Sequence, residues 1–160
     1  MPHLPPVSIR PCTSGDLAAI KQITAEAFDG ISIDQAIQKH HGPVASHDWR
    51  WHKLRHLDHD FEAGMIAVAE DDAGTAIGYI SMRIDHAAKT GSIPNLAVHA
   101  DHRGSGIGRH LLEHALEVFR TKGLAIARIE TLVQNQIGST LYPKLGFKEV
   151  AKQAHFAKRL

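Results

Sequence analysis

Cysteine is nearly absent. Cys12 stands alone in 160 residues, so no intrachain disulfide can form, which suits a reducing compartment. No apolar run approaches the roughly 20 residues of a membrane span. The start, Met1-Pro2-His3-Leu4-Pro5-Pro6, has no apolar stretch of signal-peptide length. Excess charge is also lacking: the formal net charge is +1, which gives no reason to expect a phosphate-backbone partner. Internal repeats and low-complexity linkers are missing. The expectation is a soluble cytoplasmic protein folded as one domain over residues 1–160, with neither nucleic acid nor membrane as partner. Its 43% hydrophobic and 22% charged residues suit an ordinary globular core.

Hydrophobic periodicity orders the elements that are present. Val7 to Arg10 reads as a first strand, and Thr13-x-x-Asp16 as a helix cap. Leu17, Ile20, Ile23, Ala27 and Phe28 follow at helical spacing, and Gly30 ends the helix. Ile33 to His40 suits a further helical turn or two before His41-Gly42-Pro43. Asp48 suits the cap of a helix reaching about Glu62, with Trp51, Leu54, Leu57 and Phe61 as its apolar stripe. The period then changes. Met65–Glu70 and Ala76–Asp85 read as a hairpin around Asp71-Asp72-Ala73-Gly74, and Ser92–His99 as a third antiparallel strand. Ile107, Leu111, Leu112, Ala115, Val118 and Phe119 mark a long amphipathic helix ending at Gly123. Ala125–Val133 is expected as a strand parallel to Ser92–His99, because the intervening crossover is long enough. Ile137–Leu145 suits a short helix, and Phe147–Val150 and His155–Arg159 suit closing strands. The order is mixed α/β.

The segment Asp101-His102-Arg103-Gly104-Ser105-Gly106-Ile107-Gly108-Arg109 joins a strand to a helix. Helix N-termini offer unpaired N–H groups and partial positive charge, and glycines let a phosphate come close. Arg103 and Arg109 add charge. A P-loop is excluded, since no Lys-Ser or Lys-Thr follows at the needed spacing. The G-x-G-x-x-G pattern also fails: counted from Gly104 it reaches Arg109, and from Gly106 it reaches Leu111. The same glycines also suit a turn that only starts a helix.

Three stretches in this order and spacing carry a resemblance. They are Ile93-Pro94-Asn95-Leu96-Ala97-Val98; Arg103, Gly106 and Gly108 in an Arg-x-x-Gly-x-Gly pattern; and Asn135 followed by Leu141-Tyr142-Pro143-Lys144-Leu145-Gly146-Phe147. Together they resemble the GCN5-related N-acetyltransferase superfamily. The resemblance is clearest from about Met65 to Val150, and the first 60 residues match only in helical outline. It implies a mostly antiparallel sheet of six to seven strands, a central parallel pair splayed apart and helices on both faces. It also implies acetyl-CoA as co-substrate. The pantetheine arm would pair with the backbone of Leu96, Ala97 and Val98, and the pyrophosphate would meet Arg103, Gly104, Ser105, Gly106, Ile107, Gly108 and Arg109. Asn135 would bond the arm, and Tyr142 would protonate the leaving thiolate. Pro94 supports this independently, since it cannot donate to a ladder and so marks an edge or bulge. A backbone N–H near Leu96 suits the developing oxyanion.

The pattern departs at one important point. Many relatives carry a glutamate near Asn95 as general base, whereas here Pro94 and Asn95 occupy that stretch. Proton removal then falls to Glu130, to a histidine such as His99 or to a water chain, unless the amine arrives neutral; Asn95 itself stays a candidate for the catalytic centre. Gly138 replaces a common alanine, and Ala100 a common proline.

Six of the 13 histidines lie between His40 and His59. His52, His56 and His59 share a helical face, which suits either a polar surface or a zinc or nickel site. No cysteine and no His-Glu-x-x-His pattern joins them, so no metal ligand is assigned. Trp49 and Trp51 either wall the acceptor site or divide into a core Trp51 and a surface Trp49. The leading expectation is an acetyl-CoA-dependent N-acetyltransferase acting on a primary amine of a small molecule or peptide. The alternatives are a transferase of longer acyl groups, a non-catalytic acyl-CoA sensor and a metal-binding protein. The resemblance also implies a possible homodimer.

Overall fold

A computed structural model describes residues 7–160. The start Met1–Pro6, read for a leader, lies outside the described residues. Among these residues, no helix is long and apolar enough to cross a membrane.

The chain enters through β1 (Ser8–Pro11) and a one-turn 3-10 helix, Ser14–Asp16. The Asp16 carboxylate accepts from the Thr13 backbone N–H at 2.8 Å and from its hydroxyl at 3.0 Å, so this start forms as expected. Three helices follow: α1 (Leu17–Ala27), α2 (Ile33–His41) and α3 (Trp49–Glu62). Then come β2 (Ile66–Glu70), β3 (Ala76–Ser81), β4 (Arg83–Asp85), β5 (Thr90–Ile93) and β6 (Leu96–Val98). The chain continues through α4 (Ile107–Thr121), β7 (Ile126–Ile129) and α5 (Gln136–Lys144).

The strands form a four-stranded sheet in the order β1-β2-β3-β6 and a three-stranded sheet in the order β4-β5-β7. All pairs are antiparallel except β5 with β7, the expected parallel crossover. α4 packs Ile107, Leu111, Leu112, Ala115 and Phe119 against one face with Ala67, Ala69, Ile77 and Ile80. α1 and α3 pack Ile20, Ile23 and Leu57 against Val68, Tyr79 and Ala97 on the other. Phe119 lies so close over β5 that a Cβ on Gly91 would stand 2.7 Å from its ring, so that position requires glycine.

Four sequence expectations need correction. The single strand Ala76–Asp85 is two, broken at Met82, and Ser92–His99 is likewise broken at Pro94-Asn95. The breaks stand side by side, with the Ser81 N–H bonding the Asn95 carbonyl at 2.9 Å and the Asn95 N–H bonding Ser81 Oγ at 3.0 Å. Each long strand therefore leaves one sheet for the other at this level. The strand Ala125–Val133 ends at Ile129, because its partner strand stops at Ile93, just before the proline. The closing strands over 147–150 and 155–159 do not form: Val150 and Phe156 are almost wholly exposed, and no described residue covers them.

The tryptophans are also reversed, with Trp49 buried and Trp51 exposed. Asp48 caps α3 by accepting from the Trp51 N–H at 3.1 Å, which makes Trp49 the first helical residue. Trp49, Lys53, Leu57 and Asp60 then share the inward face at helical spacing, and Trp51 falls on the far side. There it stacks on His47 with ring centroids 3.8 Å apart.

Candidate active site

The parallel ladder between β5 and β7 ends at the pair Ile93 and Ile129. Pro94 has no N–H with which to continue it. Beyond that point β6 stays with β3, while the chain after β7 departs toward α5, so the sheet opens as a wedge. The register sets what faces the wedge. Asn95 and His99 bond β3 through Ser81 and Ile77. By the alternation of an antiparallel ladder, Ala97 also turns its peptide groups to β3, whereas Leu96 and Val98 turn theirs into the wedge. Of the three residues expected to meet the cofactor arm, Ala97 thus supplies a buried methyl rather than a free amide. The Val98 carbonyl accepts from Arg103 Nε at 3.0 Å, which ties the loop to the end of the strand.

The glycine loop lies at the open end of the wedge. Gly104 and Gly106 have φ of 76° and 86°, a left-handed backbone that favours glycine. Ser105 Oγ donates to the His102 carbonyl at 2.5 Å, which tightens the turn. Gly106 is the N-cap of α4 and has no side chain to bond the first-turn amides, and that turn contains no acidic residue. The amides of Ile107, Gly108 and Arg109 are therefore left for an outside anion. Gly108 fits the same edge: a Cβ there would lie 3.7 Å from Leu141 and 3.8 Å from Val98. The Arg109 side chain instead points along the helix to Glu113, at 2.8 Å.

α5 forms the opposite wall. Asn135 caps it, accepting from the Gly138 N–H at 3.2 Å and donating to Thr131 Oγ1 at 2.9 Å. Its amide is thus employed in the fold. Tyr142 packs beside Phe147, with ring centroids 6.1 Å apart. Burial pushes its hydroxyl up to about 12, so it remains a proton donor. The ring lies tightly over Gly138, where a Cβ would stand 3.0 Å from the Tyr142 hydroxyl. The replacement of alanine by Gly138 therefore has a local purpose.

The residues weighed as bases lie apart. Glu130 follows the last β7 pair, and its exposed carboxylate is 3.8 Å from Arg128. His99 lies at the loop end of β6, where its Nδ1 accepts from the Asp101 N–H at 3.2 Å. Asn95 is buried at the closed end of the wedge, and its Oδ1 accepts from Lys53 Nζ at 2.6 Å. Lys53 also stands 4.0 Å from the centre of the Phe28 ring. Its pKa lies below the ordinary lysine value, chiefly through burial and partly through Arg83; the carboxylates of Asp34 and Asp60 pull the other way. The sequence reading missed Lys53. The available signal was a lysine four residues from both Trp49 and Leu57, inside the inward stripe of a helix.

The histidine face forms a separate depression. His52, His56 and His59, with Asp34 and Arg55, line an open cavity of about 320 Å³. Among the described residues, no three His, Cys, Asp or Glu side chains are grouped to hold a metal ion. His52 Nε2 pairs with the Val44 carbonyl at 2.9 Å.

Known proteins resemble this chain in sequence and fold. The [ribosomal protein bS18]-alanine N-acetyltransferase of Salmonella typhimurium is 29% identical over 91 residues, 57% of this chain and 59% of that one. An N-alpha-acetyltransferase of Sulfurisphaera tokodaii is 32% identical over 114 residues, 64% of this chain and 66% of that one. The matches thus span less than two thirds of these relatives' own length. The PaiA N-acetyltransferase of Thermoplasma acidophilum, solved in complex with coenzyme A, has a TM-score of 0.75 at 23% identity, covering 92% of this chain and 93% of that one. The model of the acetyltransferase (GNAT) family matches residues 25–147, most of the chain from α1 through α5. The chain belongs to the acetyltransferase (GNAT) family.

Proposed function

We propose that the protein is an N-acetyltransferase that carries the acetyl group of acetyl-CoA to a primary amine of a small molecule or peptide. The observation that carries this reading is the continuity of the wedge. The uncapped α4 terminus lies at its open end, the Leu96 and Val98 backbone runs along its side, and Tyr142 stands on the wall opposite. The loop amides of Gly104–Arg109 hold the pyrophosphate, with Arg103 fixing the loop to Val98. Leu96 and Val98 pair with the amides of the pantetheine arm, and the Leu96 N–H receives the developing oxyanion. Tyr142 gives its proton to the departing thiolate. Asn135 supports this wall by holding the first turn of α5.

The relatives named above act on a ribosomal protein alanine or on α-amines, which makes a peptide α-amine the first acceptor to assay. The same reading has the protein work in the cytoplasm as one domain over residues 1–160 and pair as a homodimer. β7 ends the order β4-β5-β7, and the exposed Val150 and Phe156 follow it, which supports a seam there.

The test is thiol release from acetyl-CoA in the presence of N-terminal peptides and small amines. Amine-dependent release is expected, falling about a hundredfold or more in Tyr142→Phe while coenzyme A still binds. Tight binding without turnover on any amine would instead establish an acyl-CoA sensor, and faster turnover with longer acyl chains would change the donor. Light scattering checks the dimer.

A further inference from the structure

On the transferase reading, the thioester arrives at the closed end of the wedge. The loop that takes the pyrophosphate follows Val98, so an arm running along β6 travels from Val98 back to Leu96 and ends at Asn95. His99 does not reach this end, and Glu130, one residue past the Ile93–Ile129 pair that closes the wedge, turns its carboxylate to solvent. Glu130 is exposed beside Arg128, and His99 lies at the opposite end of β6. The titratable group that bonds Asn95 is Lys53, delivered from the inward face of α3.

We propose that Lys53 is the base that takes the proton from the incoming amine, an assignment that rests on the transferase reading above. The surroundings of Nζ fix where it stands. One N–H goes to Asn95 Oδ1 at 2.6 Å, and a second meets the face of Phe28, whose ring centre is 4.0 Å away. In the neutral form these two contacts leave the nitrogen lone pair for the acceptor. The charged and titratable groups around it are Asp34 on α2, Asp60 on α3 and Arg83 on β4; Asp60 is itself bonded to Arg83 at 3.1 Å. Burial and Arg83 outweigh the two carboxylates and hold its pKa below the ordinary lysine value.

The step balances as follows. The acceptor ammonium gives one proton to Lys53 Nζ, and the freed amine forms the C–N bond at the thioester carbonyl. The C–S bond breaks, and the thiolate takes the Tyr142 proton. The nitrogen's second proton returns to the Tyr142 oxygen, and Lys53 releases its proton to water. Asn95 is thereby a positioning residue that holds the base.

The experiment combines a titration with kinetics. Lysine labelled with ¹³C at Cε is followed by NMR against pH, and the Lys53 signal is assigned by its absence in Lys53→Arg. The expected midpoint lies clearly below the usual lysine value of about 10.4. Lys53→Met and Lys53→Arg are both expected to lose about a hundredfold or more in kcat and to lose the matching limb of the pH profile. Coenzyme A affinity and the melting temperature should persist in both, which shows that they are folded. An Arg variant that retains its rate, a loss confined to the acceptor KM, or titration at the usual lysine value overturns the assignment. Turnover by the wild type that survives in Lys53→Met overturns this proposal alone. A wild type that binds acetyl-CoA and acetylates no amine overturns the transferase reading with it.

Discussion

The two ends of the wedge are built by different means. The open end is made of backbone: two left-handed glycines, an uncapped helix terminus and the Leu96 and Val98 peptides. Its parts are close in sequence, and the torsions they need restrict the residue types. The closed end is made of side chains from distant segments: Phe28, Lys53 and Asn95 meet from three stretches far apart in the chain. Backbone recognition demands particular residues at fixed spacing, so it leaves a motif. Side-chain recognition demands only that suitable groups converge, which a linear pattern does not record.

Substitutions that separate the two ends sharpen this contrast. The largest expected effect is on the helical side. Trp49→Ala should destabilise the protein by about 3–5 kcal/mol, as for a large core side chain, whereas Trp51→Ala should cost less than about 1 kcal/mol. Chemical denaturation measures both, and a larger loss for Trp51→Ala than for Trp49→Ala would restore the reverse assignment of the tryptophans.

At the open end, Gly108→Glu sets a carboxylate at the α4 terminus beside Leu141 and Val98, without demanding a left-handed backbone. Coenzyme A affinity should fall about a hundredfold, or about 2.7 kcal/mol, with little change in melting temperature. Gly106 is a poorer site for this test, because its φ of 86° would add strain to charge. The smallest effect concerns the wall opposite. Gly138→Ala crowds the Tyr142 hydroxyl and forces the ring off its place, which should lower kcat by about tenfold or less, given about 0.5–1.5 kcal/mol for a displaced rotamer. An unchanged kcat would show that the hydroxyl position is not critical.

Much of the fold was legible because its elements repeat a local rule. The helical periodicity of α1 and α4, the Thr13–Asp16 box and the Asp48 cap all act within a few residues. Pro94 even signalled the interruption that opens the sheet. The shared break at Met82 and Asn95 was less legible, because it depends on two strands changing sheets together. The strands expected after Phe147 have alternation but no covering partner among the described residues. Lys53 was invisible for a different reason. A lysine in an apolar stripe reads as a surface residue until Asn95 is brought against it.

The central claim is that the α4 terminus and its loop grip a pyrophosphate while β6 holds the arm. Calorimetric titration of the wild-type protein with coenzyme A and, separately, with pantetheine tests it most directly. Coenzyme A is predicted to bind about a hundredfold or more tighter, about 2.7 kcal/mol, since only it presents phosphates to the loop amides. Equal affinity for the two ligands, or no binding of coenzyme A, would contradict the account.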